Sequence, residues 1–176
     1  MSKYINAIKV IPSDTINIPL PGVLDSGTST AGAGAGEIED TGANWTNAKT
    51  NVASPAGYNI SPGDVVYDTT DSTVSEVNYV ESDTVIQISN NDFQGVTHGY
   101  KIYKGNKGGF EGFDLLVGAA PGGDVTVVTI EGDEVVIPQA AMTVGSILEL
   151  AVIKVKASTP ATNAKFVALK LQSQIN

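Results

Sequence analysis

The stretch that decides the fold is residues 125–137, which read VTVVTIEGDEVVI. Two runs rich in β-branched residues, 125–130 and 134–137, flank the turn Glu131-Gly132-Asp133. β-Branched side chains favour extended backbone, and two such runs separated by a short turn containing glycine are typical of a β-hairpin. The pattern therefore predicts an antiparallel hairpin in this part of the chain.

More strands are predicted after this hairpin, at residues 147–155 and 165–171. Near the end of the first of these runs, Ile153 and Val155 alternate with lysines, so that one face points inward and the other into water. Nowhere does an apolar pattern with the helical period extend over three turns. Residues 114–176 are therefore predicted to form a β-sandwich-like module, and the whole chain is predicted to be all-β.

The middle of the chain carries the same pattern in shorter pieces. Its predicted strands are 64–67, 73–80, 84–89 and 100–103. Strands of about five residues separated by turn residues are typical of small barrels and sandwiches. We therefore predict a small antiparallel β-barrel-like module over residues 41–105. A Gly-rich joint over residues 106–113 would connect it to the C-terminal module.

The first forty residues lack this pattern. Prolines at positions 12, 19 and 21 interrupt any regular ladder, and residues 28–36, TSTAGAGAG, have little to bury. We therefore expect residues 1–40 to be an extended N-terminal arm that becomes ordered on another chain. The apolar anchors predicted to contact that partner are Tyr4, Ile5, Leu20 and Val23.

The composition excludes several classes of function. The formal net charge is −9, whereas a protein that grips phosphates carries a positive patch. Binding to nucleic acid or to an anionic membrane is therefore not expected. Only 16% of the residues are charged, which indicates a surface rich in uncharged polar groups. The chain has no cysteine, which excludes disulfides and thiolate chemistry.

Candidate catalytic and metal-binding residues are few. His98 is the single histidine, and no second ligand or nucleophile stands beside it in the sequence. Asp64, Asp68 and Asp71 could hold calcium, although they lack the EF-hand pattern and aspartate is also a common turn former. We predict no catalytic residue, no cofactor and no metal, and hence no enzyme, with calcium at the aspartates as the alternative.

Aromatic residues of the middle module allow two interpretations. They are Trp45, Tyr67, Tyr79, Tyr100 and Tyr103. Rings of this kind can form a platform for sugars, and packing in the core and rim of a small barrel explains them equally well. Both interpretations stay open at this point.

The order of motifs in residues 117–169 resembles that of a known family. It runs as Val117-Gly118, a Gly-Asp strand at 122–129, a Gly-Asp turn at 132–135, a Gly-Ser segment at 145–148, a lysine-bearing strand at 152–155, a Thr/Ala-rich turn at 157–164 and a strand at 167–169. This order is similar to the C-terminal module of tailed-phage and gene-transfer-agent virion proteins, including capsid spike-base proteins. Residues 62–71, 82–84 and 100–103 resemble a small-barrel module of marine-phage structural proteins.

This resemblance implies a structural protein on the capsid exterior of a bacteriophage virion. It would be a capsid decoration (cement) or spike-base protein that binds the major capsid protein, copies of itself as a homo-oligomer (a trimer), and other spike or fibre proteins. Synthesis in the host cytoplasm is expected, in keeping with the lack of a signal-like segment. The alternative is a tail, neck or host-adsorption protein of the virion with glycan binding.

Overall fold

The computed structural model describes residues 4–45, 60–109, 111–157 and 165–171. These residues form twelve β-strands and two short 3-10 turns, Lys107–Gly109 and Gln139–Ala141, and they contain no α-helix. Every strand pair is antiparallel. The prediction of an all-β, antiparallel fold is therefore confirmed. Within the described ranges, no helix is long and apolar enough to span a bilayer.

In chain order the strands are β1 (Tyr4–Lys9), β2 (Val23–Thr28), β3 (Glu37–Glu39), β4 (Val65–Asp68), β5 (Val74–Val80), β6 (Val85–Ile88), β7 (Gly99–Tyr103), β8 (Phe113–Ala119), β9 (Val125–Thr129), β10 (Glu134–Ile137), β11 (Ile147–Val155) and β12 (Lys165–Leu171). They lie in two compact units. The central unit is Gly22–Gly105, and the terminal unit combines Met1–Pro21 with Asn106–Asn176.

The central unit is one six-stranded sheet with the order β2-β7-β4-β5-β6-β3. All four residues of β4 are buried, as expected for a strand with neighbours on both sides. Its apolar core combines residues from every strand with three side chains from loops, and includes Leu24, Ile38, Val66, Val77, Ile86, Ile102, Ala33, Trp45 and Phe93. The four strands predicted in residues 64–103 are confirmed to within two residues at their ends.

The terminal unit is a second six-stranded sheet, with the order β1-β12-β8-β11-β9-β10. The predicted hairpin is confirmed, since β9 and β10 pair in register from Glu134 opposite Val128 to Ile137 opposite Val125. Gly132 has a φ of 89° in its turn, a conformation that glycine adopts without a steric penalty. The buried face includes Ile8, Phe113, Leu115, Val117, Val125, Val127, Phe166 and Ala168.

The prediction that residues 1–40 form an extended arm is wrong. β1 pairs with β12, which places Ile8 opposite Ala168 in the core of the terminal unit. The three prolines lie outside the strands, where they interrupt no ladder. The segment between them follows β11, because Ile18 donates a backbone hydrogen bond of 2.7 Å to the carbonyl of Ile153.

The Gly/Ala run of the expected arm also belongs to a folded unit. Ala33 is buried in the core of the central unit, and its carbonyl accepts a hydrogen bond from the Gly95 amide. β2 pairs with β7 and β3 pairs with β6, so residues 22–40 supply both edge strands of that sheet. Just before this run, Gly27 leaves room for two side chains, since a Cβ there would lie 2.6 Å from the Asp40 carboxylate and 2.7 Å from the Tyr100 hydroxyl.

These strands change the domain limits that the sequence suggested. The central unit begins at Gly22 and not at residue 41. It ends at Gly105, the same residue at which the predicted middle module ends. Residues 106–113 are part of the terminal unit. The Asn106 side chain is buried, and it donates a hydrogen bond to the carbonyl of Glu111 (2.7 Å) and accepts one from the Glu111 amide (3.2 Å).

Candidate functional site

The predicted partner contacts are divided between the two units. Tyr4 and Leu20 belong to the terminal unit and are partly buried, whereas Val23 lies in β2 of the central unit opposite Tyr103. The Tyr4 hydroxyl donates a 3.1 Å hydrogen bond to Asp114, so its ring is held on its own unit. The side chain of Ile5 lies outside the described part. Partner contact by these four residues stays a prediction.

The solvent side of the terminal sheet carries apolar side chains where polar ones are usual. Val167, Leu116 and Ile147 lie side by side on β12, β8 and β11, because Val167 pairs with Leu116 and Leu116 with Ile147. They point away from the core face that holds Leu115 and Val117. We call these three residues the apolar row. Ile147 is 41% exposed, and Leu116 and Val167 are partly exposed.

A second feature is a cluster of titratable groups at one end of the central sheet. β4 ends at Asp68 and β7 begins at Gly99, and these strands are antiparallel neighbours with Asp68 opposite Tyr100. The Thr69 amide donates a 2.8 Å hydrogen bond to the Gly99 carbonyl, which extends the ladder by one step. His98 therefore comes next to Asp68 although 30 residues separate them in the chain.

Asp68 holds this cluster together. Its carboxylate is fully buried, and Oδ1 accepts hydrogen bonds from the amides of Thr70 (2.7 Å) and Asp71 (2.9 Å). Its Oδ2 lies 2.6 Å from Nδ1 of His98. The Asp71 carboxylate is 62% exposed and has Oδ2 at 3.9 Å from the same nitrogen. Asp68, Asp71 and His98 each offer one ligand atom, and these atoms lie within 4.8 Å of one another.

The carboxylates around His98 favour its protonated form. The pKa of His98 is raised from the ordinary value of 6.5, mainly by the hydrogen bond to Asp68. Partial burial lowers the pKa, and the charges of Asp68, Asp71 and Asp92 raise it further. The ring also packs edge-on against Phe93, with centroids 6.2 Å apart. Among the described residues no hydroxyl is seen to bond Nε2 of His98 in the way the serine of a catalytic triad does.

The structure separates the three aspartates that the sequence placed together. Asp64 lies at the other end of β4, about 13 Å along an extended strand from Asp68. Its buried carboxylate pairs with the Lys104 ammonium at 3.0 Å and accepts hydrogen bonds from the amides of Ser61 and Gly105. Asp64 is thus a structural charge pair. The calcium alternative with Asp64, Asp68 and Asp71 as one site is wrong, and the partner that the sequence missed is His98.

The structure also decides between the two interpretations of the aromatic residues. Trp45, Tyr67, Tyr100 and Tyr103 are buried, and only Tyr79, at 52%, is well exposed. The Trp45 indole donates a hydrogen bond of 2.7 Å to Asp25, and the Tyr100 hydroxyl donates one of the same length to Asp40. The four buried rings are therefore core and rim residues of the central unit, and they form no platform for a sugar.

The Asp68–His98 pair predicts a specific pH dependence of stability. A raised folded-state pKa means that the interaction stabilises the fold fully below pH 6.5 and that this contribution is lost as the pH rises through the folded pKa of His98. We expect the difference in unfolding free energy between wild type and His98→Gln, measured with urea in EDTA buffer, to be larger at pH 6 than at pH 8.5. A difference that is constant with pH would contradict this assignment.

Comparison of the chain with family models, with curated proteins and with solved structures finds no match.

Proposed function

We propose that this chain is a structural component of a bacteriophage virion, a capsid decoration or spike-base protein that binds the major capsid protein. The proposal starts from the resemblance of residues 117–169 to the C-terminal module of such proteins. The observation that carries it is the apolar row on the solvent side of the same unit. An exposed apolar strip is what a protein interface needs at its centre.

The position of the row suits docking on another protein. Strand pairing fixes the backbone on both sides of Leu116, so the three side chains lie on a surface that is ordered before binding. A rigid surface loses little conformational entropy on binding, which favours affinity. The net charge of −9 opposes non-specific association between copies at high concentration. An outer capsid protein, present in many copies, requires both properties.

The role of the N-terminal residues in this proposal changes with the structure. Since residues 4–40 belong to the two folded units, docking is assigned to a face of the terminal unit in place of an arm. The expected homo-oligomer, a trimer, stays a prediction, as does the absence of catalytic activity. A tail, neck or adsorption role would use the same surface on a different virion protein.

The test is an add-back experiment on particles. Virions lacking this protein are mixed with the purified full chain, and occupancy is measured by gel densitometry and cryo-electron microscopy. Ile147→Glu places a charge in the apolar row, and we expect about tenfold weaker binding, since a desolvated unpaired charge is costly. Val136→Glu is the matched control, because Val136 is 60% exposed on β10 and lies outside the row.

Both variants change exposed side chains, so their melting temperatures should stay close to that of the wild type. Wild-type occupancy of the capsid with a specific loss in Ile147→Glu would support the proposal. Binding of the wild type at tails or necks alone would favour the alternative role. No binding to any part of the particle would overturn the virion assignment, and equal loss in both variants would overturn the assignment to the row.

A further inference from the structure

We infer that Asp68, Asp71 and His98 form a binding site for a divalent transition-metal cation of the zinc class. This inference is independent of the proposed virion role. Together the three residues offer two carboxylate oxygens and one imidazole nitrogen, and both donor types are zinc ligands. The fourth position of a tetrahedron would then be open to water.

The distances between the donors suit a single small cation. Bonds of about 2.0–2.1 Å in a tetrahedron place the ligand atoms about 3.3 Å apart. Asp68 Oδ2 and Asp71 Oδ2 lie 2.6 and 3.9 Å from His98 Nδ1, on either side of that value. Binding would replace the Asp68–His98 hydrogen bond by two metal bonds. It would require the Asp71 carboxylate to move closer to the other two donors, since the three ligand atoms now lie within 4.8 Å of one another.

The charges of the side chains around the site also favour a bound cation. Three carboxylates, from Asp68, Asp71 and Asp92, act on one imidazole, which carries a positive charge only when it is protonated. In the described ranges, the ion pairs of Asp68 and Asp71 are both with His98. The Asp68 carboxylate is fully buried, and a buried negative charge is costly unless a cation compensates it. A divalent cation bound between these side chains would supply that compensating charge.

The site combines fixed ligands with one movable ligand. Amides of Thr70 and Asp71 hold Asp68 in place, and the His98 amide donates to the Ser29 hydroxyl at 2.9 Å. The Gly99 amide donates to the Thr70 hydroxyl at 3.0 Å, which ties the turn after β4 to the start of β7. Asp71, by contrast, is largely exposed, and among the described residues its carboxylate accepts no hydrogen bond. A cation could thus enter from solvent and be closed in by this side chain.

The donor chemistry selects the class of cation. Imidazole suits zinc, cobalt and nickel, whereas calcium and magnesium prefer a shell made entirely of oxygen atoms. We therefore expect zinc and cobalt to bind and calcium to bind far more weakly. Metal bridging the turn after β4 and the start of β7 would also stabilise the central unit, because a ligand that binds only the folded state shifts the equilibrium toward it.

The experiment uses the full chain without a histidine tag, since His98 is then the only imidazole in the sample. Zinc binding is measured by calorimetry, and cobalt binding by the visible absorption of a four-coordinate complex. NMR of the single imidazole gives a third readout. Asp71→Asn is the main variant, because a change at an exposed residue should leave the fold intact. Asp133→Asn, an exposed aspartate in the β9–β10 turn, is the matched control.

We expect one zinc ion per chain, a shift of the His98 imidazole signals, and a melting temperature that rises with zinc. Asp71→Asn should weaken binding by about tenfold or more, a loss typical of damage to a metal site, and Asp133→Asn should bind as the wild type does. Calcium binding tighter than zinc binding would overturn the class of cation. No zinc binding, or equal affinity in wild type and Asp71→Asn, would overturn the site.

Discussion

Deletion of residues 1–36 is expected to unfold both units. The deletion removes β1 from the terminal sheet and β2 from the central sheet, together with the buried side chains of Ile8, Val10, Ile18 and Leu24. The central unit loses Leu24 and its edge strand β2, and in the terminal unit the burial of the other three side chains is worth about 4.5–9 kcal/mol, at about 1.5–3 kcal/mol for each. This loss is comparable with the whole stability of a typical domain. Far-UV circular dichroism and the dispersion of amide NMR signals are the measurements.

A pair of substitutions on β1 provides the control for this deletion. Ile8→Ala should cost about 2–5 kcal/mol in the unfolding free energy, because Ile8 is 5% exposed and packs opposite Ala168. Asn6→Ala, at an exposed position of the same strand, should change it by about 0.5 kcal/mol or less. If the truncated chain keeps a dispersed spectrum and a cooperative transition, residues 1–36 are dispensable and the assignment of β1 and β2 to the two sheets is wrong.

Gly105→Ala is expected to destabilise the central unit by about 3 kcal/mol or more. This is at the upper end of the usual cost of overpacking, because the new methyl group would clash with backbone atoms, which cannot rotate away as a side chain can. A Cβ at position 105 would lie 1.8 Å from the Gly63 carbonyl oxygen and 2.8 Å from its carbon. The chain that leaves β7 would have to move away from the turn before β4. That movement would also break the 3.1 Å hydrogen bond from the Gly105 amide to Asp64. Urea unfolding followed by Trp45 fluorescence measures the loss.

Gly32→Ala is the matched control for this substitution. A Cβ at Gly32 would also be close to another atom, at 2.4 Å, but that atom is the terminal carboxylate oxygen of Glu39, which can rotate away. We therefore expect a change of about 1 kcal/mol or less. Equal effects of the two substitutions would show that the close approach of residue 105 to Gly63 is relaxed in solution.

The candidate metal site shows why sequence patterns found only part of the chemistry. Asp68 and Asp71 were recognised as potential ligands because they are near in sequence, and Asp64 was added for the same reason. In a strand, however, side chains four residues apart lie about 13 Å from each other. Proximity in sequence therefore grouped Asp64 with two residues that it does not reach. His98 joins Asp68 through the β4–β7 ladder, and no local pattern contains the register of two strands.

The amino-acid sequence by itself determined the strand character of residues 64–103 and 125–137 and the β9–β10 hairpin. It also determined the boundary between the two units after Gly105. These features depend on local interactions: β-branched side chains favour extended backbone, and glycine permits the turns between strands. Tertiary structure alone decided that β1 joins the terminal sheet and that β2 and β3 border the central one. A proline-rich and glycine-rich segment has no strong local preference, so its conformation follows from the sheet edges and apolar cavities that distant residues provide. Two such contacts are the strand pairing of Ile8 with Ala168 and the hydrogen bond from the Gly95 amide to the Ala33 carbonyl. In both, the partner lies far away in the sequence.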